Sequence, residues 1–278
     1  MRLSISNIAW DTAEDESIAL LLQQFAIDAI DVAPSKYFPV SSNVTNEEIG
    51  LIRHWWAARG IQIIGMQALL FGTTGLNVFG SAESQAALLE HLESVCRIGS
   101  VLGATRLVFG SPKNRDRSGL KDEEALQVAI PFFRHLGDIA QTHGVMICLE
   151  PNPARYGANF MTTSAETAQV VELVGNPSIK MQLDIGALAT NGEDPFVVLR
   201  DYSHLIGHVH ASERDLLPLG DGDTDHRQAA EALNQHLLNP IVTIEMLATK
   251  NETHVQSIER ALKLGISHYR HTVTEKLR

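Results

Sequence analysis

The sequence predicts an α/β fold, a single (β/α)8 barrel of eight parallel strands that takes up residues 1–278 as one domain. Three observations carry this expectation. Short apolar runs alternate with amphipathic stretches along the whole chain, which is the signature of βα units and a parallel sheet. Eight such units fit in 278 residues, near the ~250 typical of a closed barrel. Four successive apolar runs in the second half each end on a side chain able to bind a cation. An open doubly wound sheet is the competing architecture. Against it, no G-x-G-x-x-G follows the first run, where a dinucleotide fold would place it, and no linker or shift in composition divides the chain.

Taken in order, residues 3–7 read as the first strand. Asp11-Thr12-Ala13-Glu14 has the form of a capping box and opens a helix through Phe25. Residues 29–33 form the second strand, which ends near Ser35-Lys36-Tyr37. A second capping box, Thr45-Asn46-Glu47-Glu48, starts a helix carrying Trp55 and Trp56 and stopped by Gly60. The third strand, 61–67, leads into a loop rich in Gly and Thr and then a long helix from Glu83 to Leu102, closed by Gly103. Residues 105–109 are the fourth strand, with Gly110-Ser111-Pro112-Lys113 as its exit. The fourth helix ends near His143-Gly144. Residues 145–150 are a buried strand that Pro151 stops. Thr163-Ser164-Ala165-Glu166 is a third capping box and opens the fifth helix. The sixth strand ends at Asp184, a helix over 195–201 leads to the seventh strand, and that strand ends at His210. A loop over 217–225 precedes a helix over 227–238. Residues 241–245 are the eighth strand, and a helix over 255–264 with Gly265 behind it completes the pattern.

Composition bounds the function. Of the 278 residues 44% are hydrophobic, enough for one large core, and 22 basic against 33 acidic residues leave a net charge of −11. Such a balance is unsuited to binding a nucleic-acid backbone, so no nucleic-acid partner is expected. No run approaches the ~18 apolar residues of a membrane span, and no basic segment with an apolar stretch behind it opens the chain. Cys96 and Cys148 both sit in apolar segments and read as free buried thiols. Together these features predict a cytoplasmic protein without a membrane partner, and a homo-oligomer is compatible with them.

The candidate site is the set of strand ends. Glu150, Asp184, His210 and Glu245 are separated by 34, 26 and 35 residues, each a fair length for one crossover of about 30 residues. In a parallel barrel all four arrive at one end. Two residues back from three of them stand Gln182, His208 and Thr243, polar where a structural layer would be Val, Ile or Leu. Oxygen donors with one imidazole suit Mn²⁺, Mg²⁺ or Co²⁺, and zinc accepts the same set. Such an ion can grip a carbonyl and its neighbouring hydroxyl and stabilise an enediolate, while glutamates facing it move protons between carbons.

The Glu, Asp, His, Glu set on an eightfold βα pattern resembles the xylose-isomerase-like TIM barrel superfamily. The resemblance is sharpest at Leu149-Glu150-Pro151, Leu183-Asp184-Ile185-Gly186, Gly207-His208-Val209-His210-Ala211-Ser212-Glu213 and Ile244-Glu245. It implies that Glu150, Asp184, His210 and Glu245 bind the catalytic metal and that Glu150 and Glu245 are the acid/base pair of an isomerase or epimerase. The substrate expected is a small sugar, keto-polyol or sugar phosphate, with a dehydratase at the same site as the alternative. An enzyme like endonuclease IV would need three metals and more strand-end histidines, and a barrel that only binds a ligand is the remaining reading. Two departures count against a ketose 3-epimerase: Ala187 stands where the family often has His, and the run after Glu150 is shifted by one residue and lacks a final Glu. Candidate substrate contacts are Trp10, Gln67, Ser111, Lys113, Asn152, Arg155, Tyr156, His208, Glu213 and Arg214. Lys36 is a weaker one, and His226 is a minor candidate for a second metal.

Overall fold

The computed structural model describes residues 1–41 and 43–270. Eight strands close into a barrel in chain order: β1 (Arg2–Ser6), β2 (Ala29–Val32), β3 (Gln62–Met66), β4 (Arg106–Phe109), β5 (Met146–Leu149), β6 (Ile179–Asp184), β7 (Ile206–Ser212) and β8 (Ile241–Glu245). Every neighbouring pair is parallel, and β1 against β8 closes the ring. Strands this short and this apolar stay in place because both faces are covered, one by the barrel interior and one by helices. Leu3, Ile5, Ile30, Leu107, Ile147, Leu183 and Val242 are buried in the core that results.

The described helices are α1 (Asp15–Gln24), α2 (Asn46–Ala57), α3 (Ala82–Leu102), α4 (Asp122–Thr142), α5 (Ser164–Val174), α6 (Ile185–Asn191), α7 (Pro195–Tyr202), α8 (His226–His236) and α9 (His254–Tyr269). The capping box at Thr45 forms with both reciprocal bonds. At α5 it is split: the Thr163 hydroxyl accepts from Glu166 N–H, whereas the Glu166 carboxylate turns back one residue further, to Thr162.

Three local expectations are corrected. Strand β7 does not stop at His210 but continues to Ser212. Helix α6 had no counterpart in the sequence pattern, because seven residues are too few to show a period. It forms because the Asp184 carboxylate caps the Ala187 N–H. Gly265 does not end the last helix but lies inside α9, where a Cβ would come within 2.7 Å of the Ile244 side chain. It lets the helix approach the barrel closely. No described helix is long and apolar enough to cross a membrane.

Candidate metal centre and its cavities

Four side chains from four strand ends meet at one mouth of the barrel. Glu150 follows β5 directly, Asp184 ends β6, His210 lies two residues before the end of β7, and Glu245 ends β8. One donor atom from each lies within 4.8 Å of the other three. Register supplies half of this convergence, since Asp184 pairs with His210 and Ser212 with Glu245. His210 Nδ1 is 3.1 Å from Glu245 Oε2 and 4.0 Å from Glu150 Oε1.

A layer of partners fixes each group. The Gln67 amide, just past β3, reaches across the mouth and donates to Glu245 Oε1 at 2.5 Å. The Ser212 hydroxyl donates to Asp184 Oδ1 at 2.7 Å and accepts from Gly186 N–H. Glu150 Oε2 occupies the space where a Cβ on Gly110 would stand, only 1.9 Å away, so the bare backbone at Gly110 is part of the site. On the opposite wall Asp31, from β2, presents Oδ2 to two rings. It accepts from His208 Nε2 at 2.6 Å and lies 3.5 Å from His210 Nε2. With Nε2 of His210 turned to a carboxylate, Nδ1 is the nitrogen left facing the mouth, the arrangement that orients a metal-ligating imidazole.

The electrostatics describe a cluster short of positive charge. Burial, then repulsion from Glu245 and Asp184, pushes Glu150 up to about 8. Burial and Glu245 push Asp184 up to about 7. Burial also resists the charge on Glu245, but His210 outweighs it and holds that carboxyl below its ordinary value. His210 is itself raised well above its usual value, because Glu245 and Asp31 overcome the cost of burying its charge. Two carboxyls and an imidazole that hold protons for lack of a counter-charge, with a third carboxylate beside them, fit a divalent cation. The oxygen-rich donor set suits Mn²⁺, Mg²⁺ or Co²⁺, and Zn²⁺ accepts it as well. Arg115 adds charge from behind. It is fully buried with all three guanidinium nitrogens unpartnered, and burial pulls it down to about 10 although Glu150 opposes the shift.

Two cavities flank the centre, of about 720 and 480 Å³, and both reach Glu150, Glu245 and Leu216. Gln67, Ser111 and Lys113 line the larger. Asn152, Tyr156, Asp184 and Ala187 line the smaller, and the small side chain of Ala187 leaves that wall open. Other sequence candidates are placed elsewhere. Trp10 is fully buried, donates to Asp15 at 2.7 Å and packs edge-on against Trp56, so it forms no cavity wall. His208 is sealed beneath the centre, between Asp31 and Thr243. Glu213 borders the smaller cavity, but its oxygens are taken by Gly220 N–H, Thr224 N–H and His226 Nε2. His226 spends its other nitrogen on the Tyr269 hydroxyl and serves this loop instead of a second metal. Arg214 turns to Ala189 O and Asp223, and Arg155 pairs with Asp215 at 3.3 Å. Asp31, Ser212 and Arg115 did not emerge from the sequence. The first left a signal, a carboxylate between Ile30 and Val32 in an otherwise apolar strand; Ser212 stood in the seventh-strand motif without a role of its own, and Arg115 lies in a loop where nothing local marks it.

A model of the xylose isomerase-like TIM barrel matches residues 20–271. Among known sequences, a human protein provisionally named hydroxypyruvate isomerase is 28% identical over 141 residues, 46% of this chain and 48% of the relative. Inosose dehydratase 2 of Bacillus cereus is 24% identical over 142 residues, 47% of this chain and 45% of the relative. The chain thus spans about half the length of the curated relatives it matches. Among solved structures, a D-psicose 3-epimerase determined in the presence of D-fructose superimposes with a TM-score of 0.80 at 18% identity, covering 98% of this chain and all of the other (100%). The IOLI protein with a bound zinc atom gives 0.76 at 16% identity, over 99% of this chain and 100% of the other. These likenesses share the closed barrel described above, and with the match over most of its length the chain belongs to the xylose isomerase-like TIM barrel family.

Proposed function

We propose that this chain is a divalent-metal-dependent isomerase or epimerase of a small sugar, keto-polyol or sugar phosphate. The observation that carries the reading is the convergence of Glu150, Asp184, His210 and Glu245 within 4.8 Å of one another at the floor of two cavities. These four would hold the cation, which when bound would polarise a carbonyl and offset the negative charge left when a neighbouring carbon loses its proton.

The proton work falls to the chain. Glu150 and Glu245 both face His210 Nδ1 and both line the two cavities, so they form the acid/base pair. One of them, Glu245 oriented by Gln67 or Glu150 seated against Gly110, removes the proton beside the carbonyl, and the other returns one to the neighbouring carbon or to the opposite face. Asp31 keeps the His210 ring fixed while charge moves. Expulsion of a β-hydroxyl from the same carbanion would make the chain a dehydratase. The likeness to inosose dehydratase 2 favours keeping that second reading.

Metal analysis of the purified protein, followed by NMR of candidate ketoses in heavy water, tests the proposal. Deuterium entering a carbon position without loss of mass is the expected result for an isomerase or epimerase. Release of water identifies the dehydratase instead. A protein that carries no metal, and exchanges no carbon-bound hydrogen in any ketose after metal is added, rules out both.

A further inference from the structure

The larger cavity is oversized for a simple sugar. Its roughly 720 Å³ falls in the range of about 300–1,000 Å³ that encloses drug-sized ligands. Beyond Glu150 and Glu245 its walls are largely apolar, formed by Ile8, Leu69, Leu70, Phe71, Leu216 and Leu247. Phe71 at its rim is 76% exposed and Leu247 is 49% exposed. Sugar hydroxyls laid against such a wall would lose water without gaining partners. The polar features stand close to the metal centre. Gln67 lines the larger cavity and Asn152 the smaller, and each has a buried amide oxygen with no partner, ready to accept from a hydroxyl.

Charge narrows the choice further. Lys36 and Lys113 are the cations among the described residues lining the two cavities. The Lys36 ammonium donates to the carbonyls of Asn7 and Trp10, with Asp11, Glu14 and Asp15 nearby to balance it. Lys113 donates to Thr73 O at 3.0 Å. Neither provides the converging donors that a phosphate dianion needs.

Building on the isomerase reading, we propose that the substrate is an uncharged sugar ketone bearing an apolar substituent, with its reacting carbons at Glu150 and Glu245 and the substituent in the larger cavity against Phe71 and Leu247. The hydroxyl-bearing head then lies between Gln67 and Asn152, and the apolar end covers the rim.

The test compares D-fructose, D-fructose 6-phosphate and 6-O-benzyl-D-fructose on the metal-loaded full chain, with binding measured by calorimetry and deuterium uptake followed in parallel. The benzyl ether should bind about tenfold tighter than D-fructose, a difference within reach of one buried apolar group, and the phosphate should bind no tighter than the parent sugar. In Phe71→Ala and Leu247→Ser, both at partly exposed positions, the benzyl advantage should shrink while D-fructose binding stays constant. Equal binding of all three, preference for the phosphate, or no binding at all overturns the proposal. So does an unchanged benzyl advantage in the variants together with a shift in their oligomeric state, which would make the rim a contact between copies of the chain. If the binding order holds but no compound takes up deuterium, the apolar cavity stands and the isomerase reading falls.

Discussion

At the scale of single residues, the centre depends as much on absent atoms as on present ones. Glu150 reaches its position because Gly110 has no side chain. Gly110→Ala should therefore displace the carboxylate and lower kcat about 10²-fold, the usual cost of a misplacement near 1 Å, while circular dichroism and the melting temperature stay close to those of the parent. Glu150→Gln keeps the shape and removes the proton carrier. Its turnover should fall roughly 10²–10⁴-fold while the metal is retained, and unchanged turnover would remove Glu150 from the acid/base pair. Asp31 is the test of the supporting layer. Because it faces Nε2 of His210, Asp31→Asn should weaken cation affinity about 10–100-fold, measured by competition with a chelator. Unaltered affinity would show that the ring is oriented without it.

At the scale of elements, strands deliver and loops retain. Strand ends supply the four proposed ligands, and α6 starts on one of them, since Asp184 is both a member of the centre and the cap of that helix. The segment after β7 carries consecutive non-glycine residues with positive φ, Asp215 at 58° and Leu216 at 53°, a conformation that costs energy unless neighbours hold it. Here Tyr156 accepts from Asp215 N–H and Leu247 N–H donates to Leu216 O, so Leu216 is kept where the two cavities meet. The next loop hangs on Glu213, whose burial cost is outweighed by bonds from His226, Thr224 and Gly220 that bring its carboxyl down to about 2. A carboxyl depressed in this way adds stability above its unfolded value, about 4.3, and that stability is lost as pH falls toward 2. Glu213→Ala should cost about 3 kcal/mol in chemical denaturation and flatten that acid limb. A variant that kept its stability and changed only KM would return Glu213 to the substrate contacts.

At the scale of the whole molecule, the buried centre makes stability depend on pH and metal together. Glu150 and Asp184 are raised to about 8 and 7, so the folded chain binds more protons than the unfolded one from about pH 4 upward. Stability of the metal-free protein must then decline as pH rises across that window. His210, raised well above its ordinary value, acts in the same direction above pH ~6.5, where an unfolded histidine has already released its proton. With a chelator present, the melting temperature should drop between pH 6 and 8. Saturating Mn²⁺ should restore it, by about 2.7 kcal/mol at a hundredfold excess over Kd. A metal-free protein whose melting temperature does not change over that range would mean that the cluster carries no unmet charge.

The barrel was legible in the sequence because its evidence is local: the alternation of apolar runs with amphipathic stretches, the capping boxes at Asp11 and Thr45, and the residue on which each run ends. Spacing alone placed Glu150, Asp184, His210 and Glu245 at one end of a parallel sheet. Which other polar groups join them was decided only by closure of the barrel, which brings β2 opposite β7 and lays Asp31 against His208 and His210, residues about 177 apart in the chain. Trp10 became packing because α2 lays Trp56 against it, and Glu213 became a loop anchor because the loop after β7 folds back so that Gly220, Thr224 and His226 reach it. A side chain's partner depends on the direction in which it leaves the backbone and on what stands across the interior, and neither is written in its immediate neighbours.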